Sequence, residues 1–495
     1  MRVSTGCDPV PSSSAGIGHT YFWRLLALVL ALAAFNLGFR LDREVVTEWD
    51  EALYATSAAE TATYGNWIGT TFHRELDYYN TKPPLNVWLI AASFKLFGTS
   101  LFSLRLPSAI AAWLTVLVLM LWARRAFGPA AAILAGVVLS TTFGFLYVHS
   151  GRSANTDAVF TLLMLLVAVT LWTSQERPWR LVWLGPLVAS IFLLRGMAAL
   201  MPLILIGAVQ VLDWRRLRER WAPLLVAGVL MAAPVAGWVA ARWQVDQMRF
   251  IERMVSYDFV ARSARALEGH TGTPLYYLNV LQKDQYDWLL AATAALVLFP
   301  ISWRRIRASL SEDAASRYRW IVAGSWVAVT LVIPTLMRTK VAWYLNPFFP
   351  IFAVLVGGAV ARGFAQHGAL LRRRRHVLAG MVLLALAVAE SKLIWYSYHM
   401  RDLRYSGQGL MIEERDQLAG RRIFRDRWPR AGRFVLEYIV QGDPMIAEDE
   451  QDFLTRGAPG DYILLSNRQV AYSRLPCVRA NLGFALCRYP ESLRK

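Results

Sequence analysis

The sequence lacks the short motifs that identify soluble enzymes of common classes. No HExxH, CxxC pair, Gly-rich phosphate loop or G-x-S-x-G motif occurs where a soluble enzyme would need it. Cysteine is scarce, with 3 residues among 495, and says little about the fold. Cys477 and Cys487, ten residues apart near the C-terminus, can form a disulfide if that end lies outside the cytoplasm.

Charge is also sparse, and the composition is mostly apolar. Hydrophobic residues make up 56% of the chain, which excludes a disordered protein and argues against a single soluble domain. The net charge of +18 comes from short basic clusters between apolar blocks, and no soluble basic domain carries it. These clusters indicate membrane topology rather than a nucleic-acid partner. They lie at residues 124–125, 215–220, 304–307 and 372–375.

The basic clusters predict a mainly α, polytopic membrane protein with about eleven transmembrane helices. The apolar run at residues 84–97 is short, and counting it as a span would put the later clusters outside. We therefore interpret it as an interfacial helix. Residues 1–20 are predicted to be a disordered cytoplasmic N-terminus. The C-terminal end, at residue 495, is predicted to lie outside the cytoplasm. The predicted spans are 21–39, 104–122, 130–149, 157–173, 180–195, 197–213, 221–241, 286–302, 320–337, 344–363 and 377–396.

Two modules follow from this pattern. Residues 21–396 form the transmembrane module, whose first outer loop spans residues 40–84. Residues 397–495 are charged and are predicted to form a small α+β domain on the outer side. Its predicted strands lie at residues 434–440, 462–465 and 484–489. It has no Gly-rich phosphate loop and no Asp-x-Asp metal signature after a strand, so a nucleotide-sugar site is not expected there.

The first outer loop is rich in acidic residues, which indicates a site facing outwards. Asp50 and Glu51 open a helical pattern that runs over residues 52–63. A carboxylate near a helix N-terminus is held ionised by the helix dipole, as a general base for a hydroxyl nucleophile requires. Asp is also a favoured N-cap residue, and from these residues alone the capping role is favoured.

Cations on the outer loops indicate a second function for the same face. Lys82, Arg152 and Lys340 lie at predicted membrane boundaries, where they can hold a lipid phosphate. They can equally extend to lipid headgroups without a specific ligand, and Arg152 can simply pair with Asp157. Isolated histidines on outer loops, including His270, make a weak case for a metal.

Several motifs in order resemble one family. The segments are WDEALYA, YYNTKPPLNVWLIAASFKLFG, SLRLPSAIAAWLTVL, ARRAFG, SGRSANTDAVFTLL and TKVAWYLNPFFP. They resemble the GT-C-type glycosyltransferases of the protein O-mannosyltransferase superfamily, in the bacterial branch that contains the lipid A aminoarabinose transferases. The likeness is strong over residues 47–170 and weaker to about residue 355. It implies a GT-C fold and sugar transfer from a polyprenyl-phosphate donor to a hydroxyl of a lipid, glycan or protein acceptor.

The resemblance also implies roles for individual residues. Asp50 falls on the Asp of the family's Asp-Glu motif, which is taken as catalytic, and this reverses the preference for a cap. Asp157 matches an acidic residue of the second outer loop. Lys82 matches a lysine associated with the donor phosphate, and Lys340 with Tyr344 matches a second such segment. The family places this chemistry on the periplasmic face of the bacterial inner membrane, where membrane lipids surround it.

The sequence departs from the family at two positions. Thr81 replaces a glutamate that the aminoarabinose branch uses as a metal ligand, while His270 matches the partner histidine. No cofactor is therefore expected, and a divalent metal is doubtful. Arg195 with the following glycine replaces a Lys-Gly segment.

Two rival functions remain. A transporter or flippase of lipid-linked sugars predicts charged residues within the spans and internal repeats. An oligosaccharyltransferase needs a Trp-Trp-Asp motif.

Overall fold

Helices make up most of the described chain, which in this computed structural model comprises residues 19–261, 269–300, 314–366 and 369–490. Two predictions fall on residues outside these ranges. They concern the disordered N-terminus, up to residue 18, and the basic cluster at residues 304–307. The mainly α architecture is confirmed.

Eight helical stretches of the described chain are apolar and long enough to cross a bilayer. They have between 18 and 35 residues, and a crossing needs about 20. They are Thr20–Gly38, Leu101–Phe127, Asp157–Ser174, Pro178–Leu212, Trp214–Asp246, Ala314–Leu336, Ala342–Ala365 and Leu371–His399. Shorter apolar helices span Leu85–Phe97, Pro129–Ser140 and Tyr286–Leu298.

The stretch Pro178–Leu212 is two helices, Leu184–Arg195 and Leu200–Leu212, separated by a tight turn at Gly196. Gly196 has a φ of 55°, which a residue without a Cβ adopts at little cost. Leu184–Arg195 packs on the long helix Leu217–Asp246, and Leu200–Leu212 packs on Ala314–Leu336. The spans expected at residues 180–195 and 197–213 fall on these two helices, which have 12 and 13 residues.

The span expected at residues 130–149 is wrong in length. The helix Pro129–Ser140 has 12 residues, and a short helix, Phe143–Tyr147, follows it. At 1.5 Å per residue the first helix is about 18 Å long, less than the apolar core of a bilayer at about 30 Å. The hydroxyls of Thr141 and Thr142 donate to carbonyls one turn back, at 2.9 and 2.7 Å. Such bonds compete with continued helix formation.

The first outer loop carries a helix, Asp50–Tyr64, most of whose residues are buried. It contains the helical pattern expected at residues 52–63, and it ends at Gly65, which has a φ of 80°. A two-stranded antiparallel ribbon, Thr71–Phe72 with Glu75–Leu76, follows. The helix packs against the short apolar helix Leu85–Phe97, so the loop is a folded unit rather than a simple connection.

The C-terminal segment forms a five-stranded mixed sheet flanked by short helices. The strands, in spatial order, are Asp443–Ile446, Arg422–Arg425, Tyr462–Ser466, Phe484–Arg488 and Cys477–Ala480. The first three strands are parallel and the last two are antiparallel to their neighbours. A disulfide joins Cys477 to Cys487. The helices here are Gly407–Glu413, Arg415–Leu418, Arg430–Phe434, Glu450–Arg456 and Asn467–Val470.

Two of the three strands expected in this segment are present, and the one at residues 434–440 is wrong. Residues Arg430–Phe434 form an α-helix that continues as one π-helical stretch, Val435–Val440. Val435 and Ile439 are both buried and lie four residues apart. This is the spacing of one helix face. A short apolar run of β-branched residues does not distinguish a strand from a buried helix by composition alone.

The C-terminal sheet and the first outer loop share one hydrophobic core. Ala55 and Phe94 from the loop region pack in the same buried cluster as Leu410, Phe434 and Leu486 from the C-terminal segment. The ring centroids of Phe94 and Phe434 are 6.4 Å apart and nearly parallel. The C-terminal segment is therefore attached to the loop that carries Asp50.

Candidate active site

A cavity of about 620 Å³ lies where the first outer loop meets the ends of several apolar helices. Polar residues form one part of its wall. Apolar residues from Leu200–Leu212 and from the end of Ala314–Leu336 form another. Six of the residues proposed from the sequence line it: Asp50, Lys82, Asp157, Arg195, His270 and Tyr344. Segments far apart in the sequence therefore meet at one site.

Asp50 is the first residue of its helix rather than the capping residue. The capping position is occupied by Trp49, whose φ of 52° and ψ of −117° are unusual for a bulky side chain, and which makes no side-chain cap. The carboxylate of Asp50 therefore lies in the first helical turn, where the helix dipole favours its ionised form. Asp50 also lines the cavity. A proton acceptor for a bound hydroxyl must be both ionised and within reach of that hydroxyl.

Glu51 points away from the cavity and holds the start of this helix in place. Its carboxylate accepts from Arg105 Nε at 2.9 Å and from the backbone N–H of Thr47 at 2.8 Å and of Ala154 at 3.1 Å. Burial acts to raise the pKa of Glu51, but the charges of Arg105 and Arg401 outweigh it and lower the pKa to about 2. Glu51 is therefore a structural anchor for Asp50.

Arg105 is fully buried and was not selected from the sequence as a site residue. Besides Glu51, it donates to the backbone carbonyls of Leu41 at 2.8 Å, Glu44 at 2.9 Å and Val45 at 2.8 Å. Its guanidinium thus joins the first outer loop to the helix Leu101–Phe127. The available signal was an arginine near the start of an apolar block, where a charge is costly unless paired.

Arg152 was expected at the donor phosphate, and in this structure it does not line the cavity. Its Nε donates to Glu44 at 3.0 Å, and Nη2 donates to the carbonyl of Phe39 at 2.7 Å. The same guanidinium also donates to the carbonyls of Asn36 and Leu37, at the end of the first apolar helix. The side chain is 1% exposed, and its donors satisfy carbonyls at a helix end. It does not pair with the acidic residue five positions later.

Asp157 instead pairs with Arg195, across two helices. Arg195 Nη1 donates to Asp157 Oδ1 at 2.7 Å, and both side chains are nearly buried. Asp157 begins the helix Asp157–Ser174, and Arg195 ends the helix Leu184–Arg195. Both also border the cavity. The carboxylate of Asp157 therefore holds the Arg195 guanidinium at the edge of the cavity.

A tight turn brings Lys82 to the cavity. The side chain of Asp77 accepts from the backbone N–H of Tyr79 at 2.8 Å and of Asn80 at 3.0 Å. This is the arrangement by which Asp stabilises turns. Thr81 and Lys82 follow directly and line the cavity, as does Tyr344 from the 3-10 helix Ala342–Phe348.

Lys340, the second lysine expected at the donor phosphate, does not line the cavity. Its Nζ donates to the carbonyl of Pro334 at 3.2 Å and also to the carbonyls of Thr335 and Met337. These carbonyls lie at the end of the helix Ala314–Leu336, where a cation satisfies unpaired acceptors. Nζ of Lys340 thus satisfies a helix end in this structure, and its expected role at the donor phosphate stays a prediction.

His149 lines the cavity and was not selected from the sequence as a site residue. Its ring stacks on Trp343 with centroids 3.8 Å apart and an interplanar angle of 13°, and Trp343 meets His270 on another side. Burial lowers the pKa of His149, so its imidazole is neutral at neutral pH. A neutral imidazole offers one donor and one acceptor to a bound sugar.

The family model described as dolichyl-phosphate-mannose-protein mannosyltransferase matches residues 81–238. An undecaprenyl phosphate-alpha-4-amino-4-deoxy-L-arabinose arabinosyl transferase of Pseudomonas savastanoi pv. phaseolicola is 30% identical over 369 residues, which cover 72% of this chain and 66% of that protein. A second transferase of this name, from Pseudomonas fluorescens, is 28% identical over 370 residues, covering 72% and 60%.

The chain belongs to the GT-C superfamily, in the branch that contains the aminoarabinose transferases. It spans less than two thirds of the length of these curated relatives. The crystal structure of ArnT from Cupriavidus metallidurans bound to undecaprenyl phosphate has the same fold, with a TM-score of 0.68 at 16% identity. That match covers 97% of this chain and 100% of the ArnT chain. The protein is therefore a multi-pass membrane protein with a GT-C fold.

The residues present do not fit the metal site that the aminoarabinose branch implies. Among the described residues, no three His, Cys, Asp or Glu side chains come together as a metal-binding group. Thr81 stands where the branch has a glutamate, and a single neutral hydroxyl is a weak ligand beside His270. We therefore assign no step of the chemistry to a metal.

Proposed function

We propose that the protein transfers a sugar from a polyprenyl-phosphate-linked donor to a hydroxyl of a lipid, glycan or protein acceptor. The reaction would take place on the periplasmic face of the bacterial inner membrane. The observation that carries the proposal is the cavity itself, where Asp50, Lys82 and Arg195 line one space beside an apolar wall.

The apolar wall suits the prenyl part of such a donor. Leu200, Met201 and Ile204 come from one helix, and Ile333 and Met337 come from the neighbouring segment. Ile204 is 49% exposed, so this wall continues onto the surface that faces lipid. A donor with a charged head and a long apolar tail needs this combination, because burying charge without partners is costly.

The polar wall supplies the chemistry. Asp50 accepts the proton of the acceptor hydroxyl as that oxygen attacks the anomeric carbon of the sugar. The bond from that carbon to the phosphate oxygen breaks, and the prenyl phosphate leaves with the electron pair. Lys82, Arg195 and Tyr344 stabilise the charge on the phosphate by ionic contacts and hydrogen bonding. Asp157 holds the guanidinium of Arg195 in position.

The cavity lies at the ends of the helices that the basic clusters predict to face outwards. Asp157 begins its helix and Arg195 ends another, as alternating crossings require. Residues 372–375 and 215–220 adjoin the opposite ends of their helices, and basic clusters favour the cytoplasmic side. This arrangement supports a periplasmic active site, with residues 21–396 as the membrane module and residues 397–495 as a small periplasmic domain.

The direct test is sugar transfer by the purified protein in nanodiscs. Undecaprenyl phosphate-4-amino-4-deoxy-L-arabinose is the first donor to supply, because the matched relatives are named for it, followed by other polyprenyl-phosphate sugars. Glycolipids, glycans and proteins from cells with and without the gene identify the acceptor by mass spectrometry. We expect a product that carries the donor's sugar. Movement of donor across vesicles without any transfer would instead favour a flippase.

A further inference from the structure

One side chain of the C-terminal segment contacts two residues that line the cavity. Arg430 contacts Trp49 and Tyr79, two aromatic residues of the cavity lining. Its guanidinium carbon lies 4.6 Å from the ring centroid of Trp49 and 5.3 Å from that of Tyr79. The two rings are themselves stacked, with centroids 6.5 Å apart. A guanidinium within about 6 Å of an aromatic centroid is attracted to the ring.

The two rings lie on the two segments of the first outer loop that carry the proposed base and the proposed phosphate ligand. Trp49 directly precedes Asp50, and Tyr79 lies three residues before Lys82. The φ of Trp49 is 52°, a conformation that costs a bulky residue about 1–3 kcal/mol and needs support from its surroundings. Arg430 supplies that support from the C-terminal segment.

A second contact joins the same loop to the same C-terminal helix. The carboxylate of Glu48 accepts from the backbone N–H of Ala431 at 3.5 Å. Burial raises the pKa of Glu48, and the N–H groups of Ala431 and Arg430 partly offset that effect. Further along, the hydroxyl of Tyr438 donates to Glu60 at 3.0 Å. The C-terminal helix is thus fixed along the helix that Asp50 begins.

We propose that Arg430 is a positioning residue, which stacks on Trp49 and Tyr79 and thereby holds Asp50 in register with Lys82. The C-terminal domain then takes part in the reaction of the membrane module. This inference rests on the proposed function. Proton removal and departure of the phosphate occur together, so the two groups must keep a fixed separation. A misplacement of about 1 Å costs about a hundredfold in rate.

The experiment compares Arg430→Ala and Arg430→Lys with Arg433→Ala. Arg433 lies on the same short helix and pairs with Glu437 at 2.8 Å, so its loss removes the same charge without touching the stacked rings. Single-turnover transfer is measured at saturating donor and is divided by the number of donor-binding sites. We expect a decrease of about ten- to a hundredfold for Arg430→Ala, a smaller decrease for Arg430→Lys, and less than a twofold change for Arg433→Ala.

Hydrogen exchange of the unreacted protein gives a readout that does not depend on transfer. Peptides covering residues 47–55 and 77–83 should exchange faster in Arg430→Ala than in Arg433→Ala, because the stack no longer holds them. Equal rates per donor-binding site in these two variants, or unchanged exchange in both peptides, would overturn the positioning role. If Arg430→Ala does not fold, Arg430→Lys carries the same comparison. Absence of transfer by the wild-type protein would instead overturn the proposed function, and with it the role of Arg430 in transfer.

Discussion

The substitution Asp50→Asn separates catalysis from folding at this site. Asn keeps the size of the side chain but cannot accept the proton of an acceptor hydroxyl. Loss of a general base costs about two to four orders of magnitude in rate, which corresponds to about 2.7 to 5.4 kcal/mol in activation free energy. We expect single-turnover transfer to fall by that factor, while the donor still binds.

The structure limits the competing effect on stability. Asp50 is the first helical residue, and Trp49 occupies the capping position. The substitution removes the interaction of one carboxylate with the helix dipole, worth about 0.3 to 1 kcal/mol. The anchoring bonds of Glu51 remain. The melting temperature of Asp50→Asn should accordingly stay close to that of the wild-type protein.

The assay measures single-turnover transfer and donor affinity in nanodiscs for Asp50→Asn, with Asp157→Asn and Glu51→Gln as comparisons. Asp157→Asn should weaken the hold on Arg195 and reduce donor affinity as well as rate. Glu51→Gln should act mainly on stability and lower the melting temperature. Transfer by Asp50→Asn within about threefold of wild type would show that the base lies elsewhere, and Asp157 would become the next candidate.

Lys82→Ala should weaken donor binding more than it slows the transfer of sugar from bound donor. Arg152→Ala should instead destabilise the fold by about 3–5 kcal/mol, because it removes a buried partner of Glu44; equal effects of both variants on donor affinity would contradict this division. The pKa of Glu51, lowered to about 2, adds stability that is present above about pH 4.5 and is lost as pH falls towards 2. Acid unfolding should therefore shift in Glu51→Gln, and an unshifted curve would count against the pair. An impermeant thiol reagent on intact cells should not label Arg373→Cys, since labelling would invert the topology. Transfer should continue in a metal chelator, and a metal-reversible loss would reveal a ligand set that we have not identified.

The linear order of residues determined the architecture of the membrane module. Blocks of apolar residues and basic clusters between them predict helices and their orientation, because hydrophobic length and cationic charge act through the bilayer wherever the chain folds. The start of a helix at Asp50 was likewise predictable, since a polar residue before a helical pattern is a local signal. The order of the loop motifs led to the GT-C family.

Only the tertiary structure decided which charged side chains reach the cavity. Arg152 and Lys340 lie at membrane boundaries just as Lys82 does, yet their donors are used by backbone carbonyls at helix ends. A sequence places a residue near a boundary but does not specify the direction of its side chain. The contact of Glu48 with Ala431 joins residues 383 positions apart, which no local pattern can reveal, because it depends on how separate elements pack together.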